Sequence, residues 1–197
     1  MKKGEKRKRK LIEIAYGKFI TKGYENTSVD EIIEEAGIAK GTYYYHFESK
    51  EQMLEEVINM MLEKGTQKAV DVLNSGASIP EKVVGIILSY RPDVNEITIQ
   101  NALNHPENIV MHNKMNRQMI ERMIPLLSEV TEEGIKAGVF DCDNIPERIR
   151  AILILSSSLF DEMDFTEKDV DVFIDTVEKI LGAKAGTMRF IDNIIQR

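Results

Sequence analysis

The chain has 197 residues, of which 43% are hydrophobic and 30% are charged, and its formal net charge is −7. This composition is typical of a globular protein and excludes a disordered or fibrous chain. No apolar run approaches the roughly 18 residues that a membrane span needs, and the basic N-terminus lacks the apolar core of a signal peptide. Cys142 is the only cysteine, so an internal disulfide is excluded, and we expect a protein of the reducing cytoplasm.

The charge is divided unevenly along the chain. Residues 1–50 hold eleven Lys/Arg and eight Asp/Glu, a net of +3, which leaves −10 for residues 51–197. Only the part of a protein that meets DNA needs a positive local field, so the acidic total does not exclude DNA binding. Seven basic residues lie within positions 2–10. This basic arm, residues 1–10, is either a flexible arm that neutralises DNA phosphates or enters a minor groove, or a disordered, solubilising tail.

The N-terminal part predicts three helices, because apolar residues recur with a period near 3.6 between Gly and Pro residues. The first helix is predicted over about residues 5–22. Ser28 and Glu31 form a capping box at the start of the second, which ends at Gly37. The third covers about residues 39–47. This is a helix-turn-helix arrangement, in which the last helix enters the major groove.

Residues 37–54, GIAKGTYYYHFESKEQML, resemble the recognition segment of the tetracycline-repressor (TetR) family of one-component bacterial regulators. Phe19, Gly23-Tyr24 and Thr27-Ser28 extend the resemblance upstream, so it covers the first quarter to third of the chain. The resemblance implies an all-α fold. A three-helix DNA-binding domain over residues 1–48 is expected to precede a helical ligand-binding and dimerisation domain over residues 49–197.

The side chains of the recognition segment suit DNA. Hydroxyl and ammonium groups bind phosphate oxygens, which fix the register of a protein on the duplex without reading its sequence. The resemblance implies phosphate contacts for Thr42, Tyr44, Tyr45 and Lys50, and base or groove contacts near Ala39, Lys40 and Gly41. The predicted DNA-binding residues are Ser28, Ala39, Lys40, Gly41, Thr42, Tyr43, Tyr44, Tyr45, His46 and Lys50.

Two positions depart from the family pattern. Ala39 stands where serine is common, so one hydroxyl contact is absent, and Tyr43 stands where leucine is common. Tyr43, Tyr44 and Tyr45 cannot all face one side of a helix, because each residue turns the helix by about 100°. Tyr43 is therefore either half-buried core or an additional groove contact, and Phe47 is expected in the core.

The rest of the chain also predicts helices. Pro125 lies inside one of them and predicts a kink or a split there. The predicted spans are Ser49 to about Leu73, Ser78 to before Pro92, Asp93 to Leu103, Pro106 to about Ala137, Ile145 to Phe160, Thr166 to Leu181, and about residues 185–195, with a linker at 74–78.

Two features of the C-terminal part suggest partners. Met111, Met115, Met119 and Met123 share one helical face, and methionine suits a pocket for varied apolar ligands. We assign Met111, Met115 and Met119 to an effector site, and the alternative is a core stripe. The apolar helices at 146–162 and 166–182 resemble the family's dimer interface, and the alternative is a bundle within one chain.

Metal binding and catalysis find little support in the sequence. His105 and His112 are seven residues apart, and Cys142 has no metal-ligand spacing around it, so neither predicts a zinc site. No nucleophile elbow or Gly-rich phosphate loop is present. We therefore expect no cofactor, no metal and no enzyme.

The function implied by the resemblance is a ligand-responsive transcriptional regulator. It would be a cytoplasmic homodimer, without a membrane partner, that represses from a palindromic operator in double-stranded DNA. An apolar or amphipathic small molecule would release it. The alternatives are a helical enzyme and a helical protein-interaction module that does not act on DNA.

Overall fold

The predicted all-α fold is confirmed by a computed structural model, which describes residues 3–160 and 165–195. The described part contains ten α-helices, two short 3₁₀ helices and no β-strand. The α-helices are α1 Lys3–Lys22, α2 Val29–Ala36, α3 Lys40–His46, α4 Lys50–Leu73, α5 Ile79–Ser89, α6 Ile97–Leu103, α7 Ile109–Lys136, α8 Ile145–Phe160, α9 Glu167–Leu181 and α10 Asp192–Ile195. The 3₁₀ helices are Pro106–Asn108 and Arg189–Ile191.

Several helices begin at the residues from which the sequence predicts them to start. The Ser78 backbone N–H donates to Glu81 Oε2 at 2.8 Å, which completes the predicted box at the start of α5. The Thr166 hydroxyl accepts a hydrogen bond from the backbone N–H of Asp169 and caps α9. These side chains pair backbone groups that a helix terminus leaves without partners, so they fix where each helix starts.

Four predicted elements differ from the structure. The basic arm is not a flexible tail where the structure describes it, because residues 3–10 form the first turns of α1. The split at Pro125 is wrong: α7 continues through it, and its buried neighbours Ile124 and Leu126 hold the helix in place despite the lost backbone hydrogen bond. The helix predicted over residues 185–195 is two short pieces, because Gly186 has φ +86°, which no right-handed helix contains. Helix α6 starts at Ile97, because Asp93 accepts hydrogen bonds from Asn95 and Glu96 in a turn instead.

The chain forms two compact units. The first comprises residues 1–63 and 92–115. Within it, α6 packs on α1: the Tyr16 hydroxyl donates to Glu96 Oε1 at 2.9 Å, and the Thr98 hydroxyl donates to the Phe19 carbonyl at 3.1 Å. Ile99 is fully buried. The helix-turn-helix therefore shares its unit with a segment that lies far away in sequence.

The second unit comprises residues 64–91 and 116–197. Its core is one apolar cluster contributed by α4, α5, α7, α8, α9 and the 3₁₀ helix at 189–191. Lys82 is buried on α5, and its Nζ donates to both carboxylate oxygens of Glu133 at 2.8 and 2.9 Å. Since this grouping describes packing alone, the division of function between residues 1–48 and 49–197 stays a prediction.

Gly182, just after α9, occupies a position that only glycine fits. Its φ is +64°, and an added Cβ would lie 2.0 Å from the Asp141 carbonyl oxygen. The Asp141 N–H donates to the Leu181 carbonyl at 3.0 Å, which holds the two segments together. The turn after α9 therefore requires glycine, because a side chain at this position would overlap the Asp141 carbonyl.

We predict that Gly182→Ala destabilises the chain by clearly more than Gly138→Ala. Gly138 has φ +72° but no atom within 4 Å of an added Cβ, so its substitution costs only the left-handed strain, about 1–2 kcal/mol. Gly182→Ala adds a steric overlap with backbone, which typically costs about 1–3 kcal/mol more. Urea unfolding of the two variants measures the difference. Equal losses of stability would contradict the close packing at Asp141.

Candidate nucleic-acid interface and ligand cavity

A charged network fixes the start of α2. The Glu31 N–H donates to the Ser28 hydroxyl at 3.2 Å, and the Ser28 N–H donates to Glu31 Oε2 at 2.8 Å, which is the predicted capping box. Lys22 also donates to Glu31, and this bond and then the Ser28 bonds lower the pKa of Glu31 to about 2. Because the pKa is lowered, the stabilisation is present at neutral pH and is lost only as the pH falls towards 2.

The turn between α2 and α3 follows the predicted geometry. Gly37 takes the left-handed conformation, with φ 64° and ψ 40°, and its N–H donates to the Glu34 carbonyl at 3.1 Å. Ala39 then stands at the N-cap of α3 without a side-chain cap. The hydroxyl that serine would bring to this position is therefore absent from the helix start as well as from the surface.

Two aromatic rings lock α3 into the first unit. Tyr43 and Phe47 are fully buried, with ring centroids 5.4 Å apart. The Tyr43 hydroxyl donates to the Ser49 carbonyl at 3.4 Å, and burial raises its pKa to about 12, so the side chain is neutral. Of the two alternatives for Tyr43, the structure agrees with the core. The side chain exposes no surface that could touch DNA.

The opposite side of α3 is open. Tyr45 is 83% exposed and Tyr44 is 49% exposed. The remaining predicted DNA-binding residues also reach the surface: Ser28, Ala39, Lys40 and Gly41 are exposed, and Thr42, His46 and Lys50 are half-buried. Apart from Ser28 and Lys50, all lie within or directly before α3. The structure thus leaves nine of the ten predicted residues at the surface, and seven of these lie within or directly before one short helix.

Two lysines at this surface are already held in place. Lys40 Nζ lies 2.9 Å from Asp30 Oδ1, and this carboxylate raises the pKa of Lys40. Lys50 Nζ donates to the Glu25 carbonyl at 3.2 Å and lies 4.2 Å from the centroid of the Tyr24 ring. A carbonyl and a ring orient Lys50 without neutralising it, whereas a phosphate would have to compete with Asp30 for Lys40.

The second unit contains an apolar cavity of about 90 Å³. Its described walls come from α5, α7, α8, α9 and the terminal segment, residues 188–195. In this described lining, Thr131 and Ser156 carry the polar side chains and no residue is charged. Thr131 donates its hydroxyl to the Leu127 carbonyl at 2.8 Å. The cavity is therefore suited to an apolar molecule.

The methionine face is not part of the described cavity lining. Met111 and Met115 belong to the first unit, whereas Met119 and Met123 belong to the second. Met123 is buried, and the other three are half-buried. The assignment of Met111, Met115 and Met119 to the effector site stays a prediction.

The sequence reasoning missed the residues that line this cavity. Val83 and Ile87 lie four residues apart on α5 and look like ordinary core positions. Met188 and Ile191 fall in a segment whose short helices give no periodic signal. Only the packing of the helices distinguishes a cavity wall from filled core.

Comparisons with known proteins agree with this architecture. The family model described as bacterial regulatory proteins of the tetR family matches residues 11–57. The model described as the tetracyclin repressor-like C-terminal domain matches residues 93–178. An uncharacterised helix-turn-helix transcriptional regulator of Bacillus subtilis strain 168, YhgD, is 30% identical over 142 residues, which cover 70% of this chain and 74% of that protein.

This chain belongs to the TetR family. It is therefore a helix-turn-helix transcriptional regulator. The transcriptional repressor KstR2 of Mycobacterium tuberculosis strain CDC 1551 / Oshkosh is 27% identical over 158 residues, which cover 73% of this chain and 76% of that protein. The ligand-carrying structure of RolR, solved with resorcinol, has a TM-score of 0.65 at 18% identity and covers 99% of this chain and 95% of that one. At this identity the likeness concerns the fold alone.

Within residues 3–160 and 165–195, no three His, Cys, Asp or Glu side chains are grouped to hold a metal. None of the helices in those ranges is both long and apolar enough to cross a bilayer.

We predict losses of stability of very different size for Tyr43 and Tyr45, two tyrosines of α3. Tyr43→Ala removes a fully buried ring and should cost about 3–5 kcal/mol of unfolding free energy. Tyr45→Ala removes an exposed ring and should change it by no more than about 0.5 kcal/mol. Denaturant unfolding measures both. A small loss for Tyr43→Ala would mean that α3 is rotated from the orientation described.

Proposed function

We propose that this regulator is a cytoplasmic, dimeric repressor that binds a palindromic operator through α3 and is released by an apolar or amphipathic small molecule. The observation that carries the proposal is the division of α3 into a buried side, with Tyr43 and Phe47, and an open side, with Tyr44 and Tyr45. A helix locked by aromatic rings can offer hydroxyl and ammonium groups to DNA without rearrangement.

In the proposed complex, the hydroxyls of Thr42, Tyr44 and Tyr45 and the Lys50 ammonium bind phosphates. Ala39, Lys40 and Gly41 approach the base edges, where small residues let the backbone come close. Ser28 at the start of α2 and His46 at the end of α3 lie at the borders of this surface. Lys40 leaves Asp30 for DNA, so the Asp30 carboxylate disfavours weak, nonspecific contacts.

The proposed dimer rests on the outer face of α8. Ile154 is 53% exposed, although α8 is rich in aliphatic residues. On α9, Val172 is 64% exposed, but the rest of its apolar face is buried inside the same chain, with Phe173 and Ile174 as examples. Most of the apolar face of α9 thus packs within its own chain, as in an intramolecular bundle, whereas α8 leaves Ile154 exposed and Leu155 and Leu159 half-buried. A two-fold dimer also suits a palindromic operator.

Release follows from linkage. An effector that binds the DNA-free arrangement better than the DNA-bound one lowers operator affinity, and the operator lowers effector affinity by the same factor. Two similar proteins support repression and ligand binding: KstR2 is a transcriptional repressor, and RolR was solved in complex with resorcinol.

Two other functions remain distinguishable by experiment. A helical enzyme would show turnover that His112→Ala abolishes. A protein-interaction module would not retard a fragment of its own promoter region in a gel-shift assay.

Lys50→Ala should weaken binding to operator and to unrelated DNA by similar factors, because phosphate contacts carry no sequence information. The loss of one phosphate contact should also reduce the slope of log affinity against log salt by about 0.9. Fluorescence anisotropy over a salt series measures both. Lys68→Ala, an exposed lysine of the same helix α4, is the control and should leave the slope unchanged. An unchanged slope for Lys50→Ala would remove Lys50 from the interface.

Ile154→Glu should give a folded monomer, because it places a charge on the outer face of α8 without entering the core. Leu153→Glu, one residue away, should unfold or aggregate the chain, because Leu153 is buried. Sedimentation and circular dichroism distinguish the two results. If Ile154→Glu remained at about twice the chain mass, the proposed interface would be wrong.

A further inference from the structure

We infer that Tyr24, in the turn between α1 and α2, is a positioning residue for DNA binding: its ring holds the Lys50 ammonium in place before a phosphate arrives. This inference rests on the proposed phosphate contact of Lys50 and deepens it. It gives a role to Gly23, Tyr24 and Thr27, which carry part of the family resemblance but have no place in the proposed complex.

The turn that carries Tyr24 is firmly held. Gly23 has a φ of +85°, and its N–H donates to the Phe19 carbonyl at 3.0 Å. The buried Thr27 donates its hydroxyl to the Gly23 carbonyl at 2.9 Å and its N–H to the Tyr24 carbonyl at 3.2 Å. The Tyr24 ring is buried and meets the Phe19 ring edge to face, with centroids 5.2 Å apart. The ring therefore keeps one orientation as part of the core of the first unit.

Lys50 reaches back to this turn from the first residue of α4. Its Nζ lies 4.2 Å from the centroid of the Tyr24 ring and donates to the Glu25 carbonyl at 3.2 Å. This distance is well within the roughly 6 Å over which an aromatic face attracts a cation. Burial and then the carboxylates of Glu51 and Glu25 raise the pKa of Tyr24, so its phenol stays neutral. Two contacts with one turn thus orient the Lys50 side chain.

This manner of holding distinguishes Lys50 from other lysines of the first unit. Three of them pair with carboxylates of α2: Lys18 with Glu35, Lys22 with Glu31 and Lys40 with Asp30. A phosphate must displace a carboxylate to bind such a lysine. The Lys50 ammonium has three N–H donors, of which the Glu25 carbonyl takes one. A phosphate can therefore bind a remaining donor while the ring and the carbonyl keep the side chain in place.

The expected gain comes from conformational entropy. A lysine has a flexible four-carbon stem, and immobilising such a side chain at an interface lowers affinity by about 3–10-fold. A ring that orders the side chain in the free protein removes part of this loss. Because the Tyr24 ring is buried, it has no face of its own to offer to DNA. We therefore expect Tyr24 to raise operator affinity only through Lys50.

The contact itself is tested without DNA, by NMR spectroscopy of the chain with isotope-labelled lysine. The Lys50 Hε resonance is assigned by its absence from Lys50→Ala. It should lie upfield of the Hε resonance of the exposed Lys68, because protons over an aromatic face are shielded. Tyr24→Phe keeps the ring and should keep this displacement, whereas Tyr24→Leu should remove it. A Lys50 resonance at the Lys68 position in the unmodified chain would overturn the inference.

The role in DNA binding is tested by a double-mutant cycle of operator affinity, measured by fluorescence anisotropy. Tyr24→Leu should weaken operator binding by about 3–10-fold when Lys50 is present. In the Lys50→Ala background the same change should have an effect of less than about 2-fold, because the ring then has no lysine to orient. Tyr24→Phe should restore the affinity that Tyr24→Leu loses.

Leu11→Ala is the matched structural control. Leu11 is buried in the same unit and lies eight residues before Phe19 on α1, about 12 Å along the helix. Its substitution removes core packing at a distance from the turn, so its effect on operator affinity should be the same with and without Lys50. An equal effect of Tyr24→Leu in both backgrounds would mean that the ring serves stability alone, and it would overturn the inference.

A ring of unchanged shape replaces Tyr24→Leu if that variant does not fold. Tyr24→pentafluorophenylalanine keeps an aromatic ring, but its fluorinated face no longer attracts a cation. It should weaken operator binding in the presence of Lys50 and have no further effect in Lys50→Ala. A loss of the same size in both backgrounds, or no loss in either, would overturn the inference.

These outcomes separate the inference from the proposed function. A chain that binds no operator would contradict the proposed function and, with it, the role of Tyr24, whatever the NMR spectrum shows. A chain whose operator affinity depends on Lys50 but not on the ring of Tyr24 would contradict the inference alone.

Discussion

The burial of Tyr43 and Phe47 is the constraint on which the proposed DNA-reading surface depends. Helix α3 has only seven residues, so neither its own hydrogen bonds nor its length can hold it in one orientation. Two rings with no exposed surface fix its rotation about its axis. That rotation decides which side chains remain outside, and it turns Tyr44 and Tyr45 to solvent. One side of this short helix therefore packs in the core, and the other side is the one proposed to contact DNA.

Much of this fold follows from local chemistry. The capping boxes at Ser28 and Ser78 and the left-handed Gly37 are read directly from residue types at fixed spacing, and the structure has all three. The side of α3 on which Tyr43 lies could not be predicted, because three consecutive aromatic residues leave the rotation of the helix open. The cavity could not be predicted either, since Val83 and Ile191 line it only because distant segments leave space between them. The predicted split at Pro125 was wrong for a related reason. The packing of its buried neighbours outweighs the one backbone hydrogen bond that proline removes.

Individual ion pairs explain how the uneven charge of the chain is used. The first fifty residues are only mildly basic, and several of their lysines form ion pairs with acidic residues. Lys40 pairs with Asp30, and Lys22 pairs with Glu31. In the proposed complex, phosphates bind where DNA replaces a carboxylate or meets a lysine that is oriented but not neutralised, as Lys50 is. Because these lysines already pair with carboxylates, the surface attracts unrelated DNA less strongly, and this favours specific over nonspecific DNA binding. The apolar cavity of the second unit differs from this surface, because its described walls carry no charged side chain.

Hydrogen–deuterium exchange of the chain, free and with a fragment of its own promoter region, tests most directly whether α3 reads DNA. We expect DNA to slow amide exchange over residues 39–50, which contain α3 and the start of α4. The same amount of a protein-free polyanion such as heparin should protect these residues less. Protection confined to residues outside this range, with residues 39–50 unchanged, would contradict the assignment of α3 as the element that reads DNA.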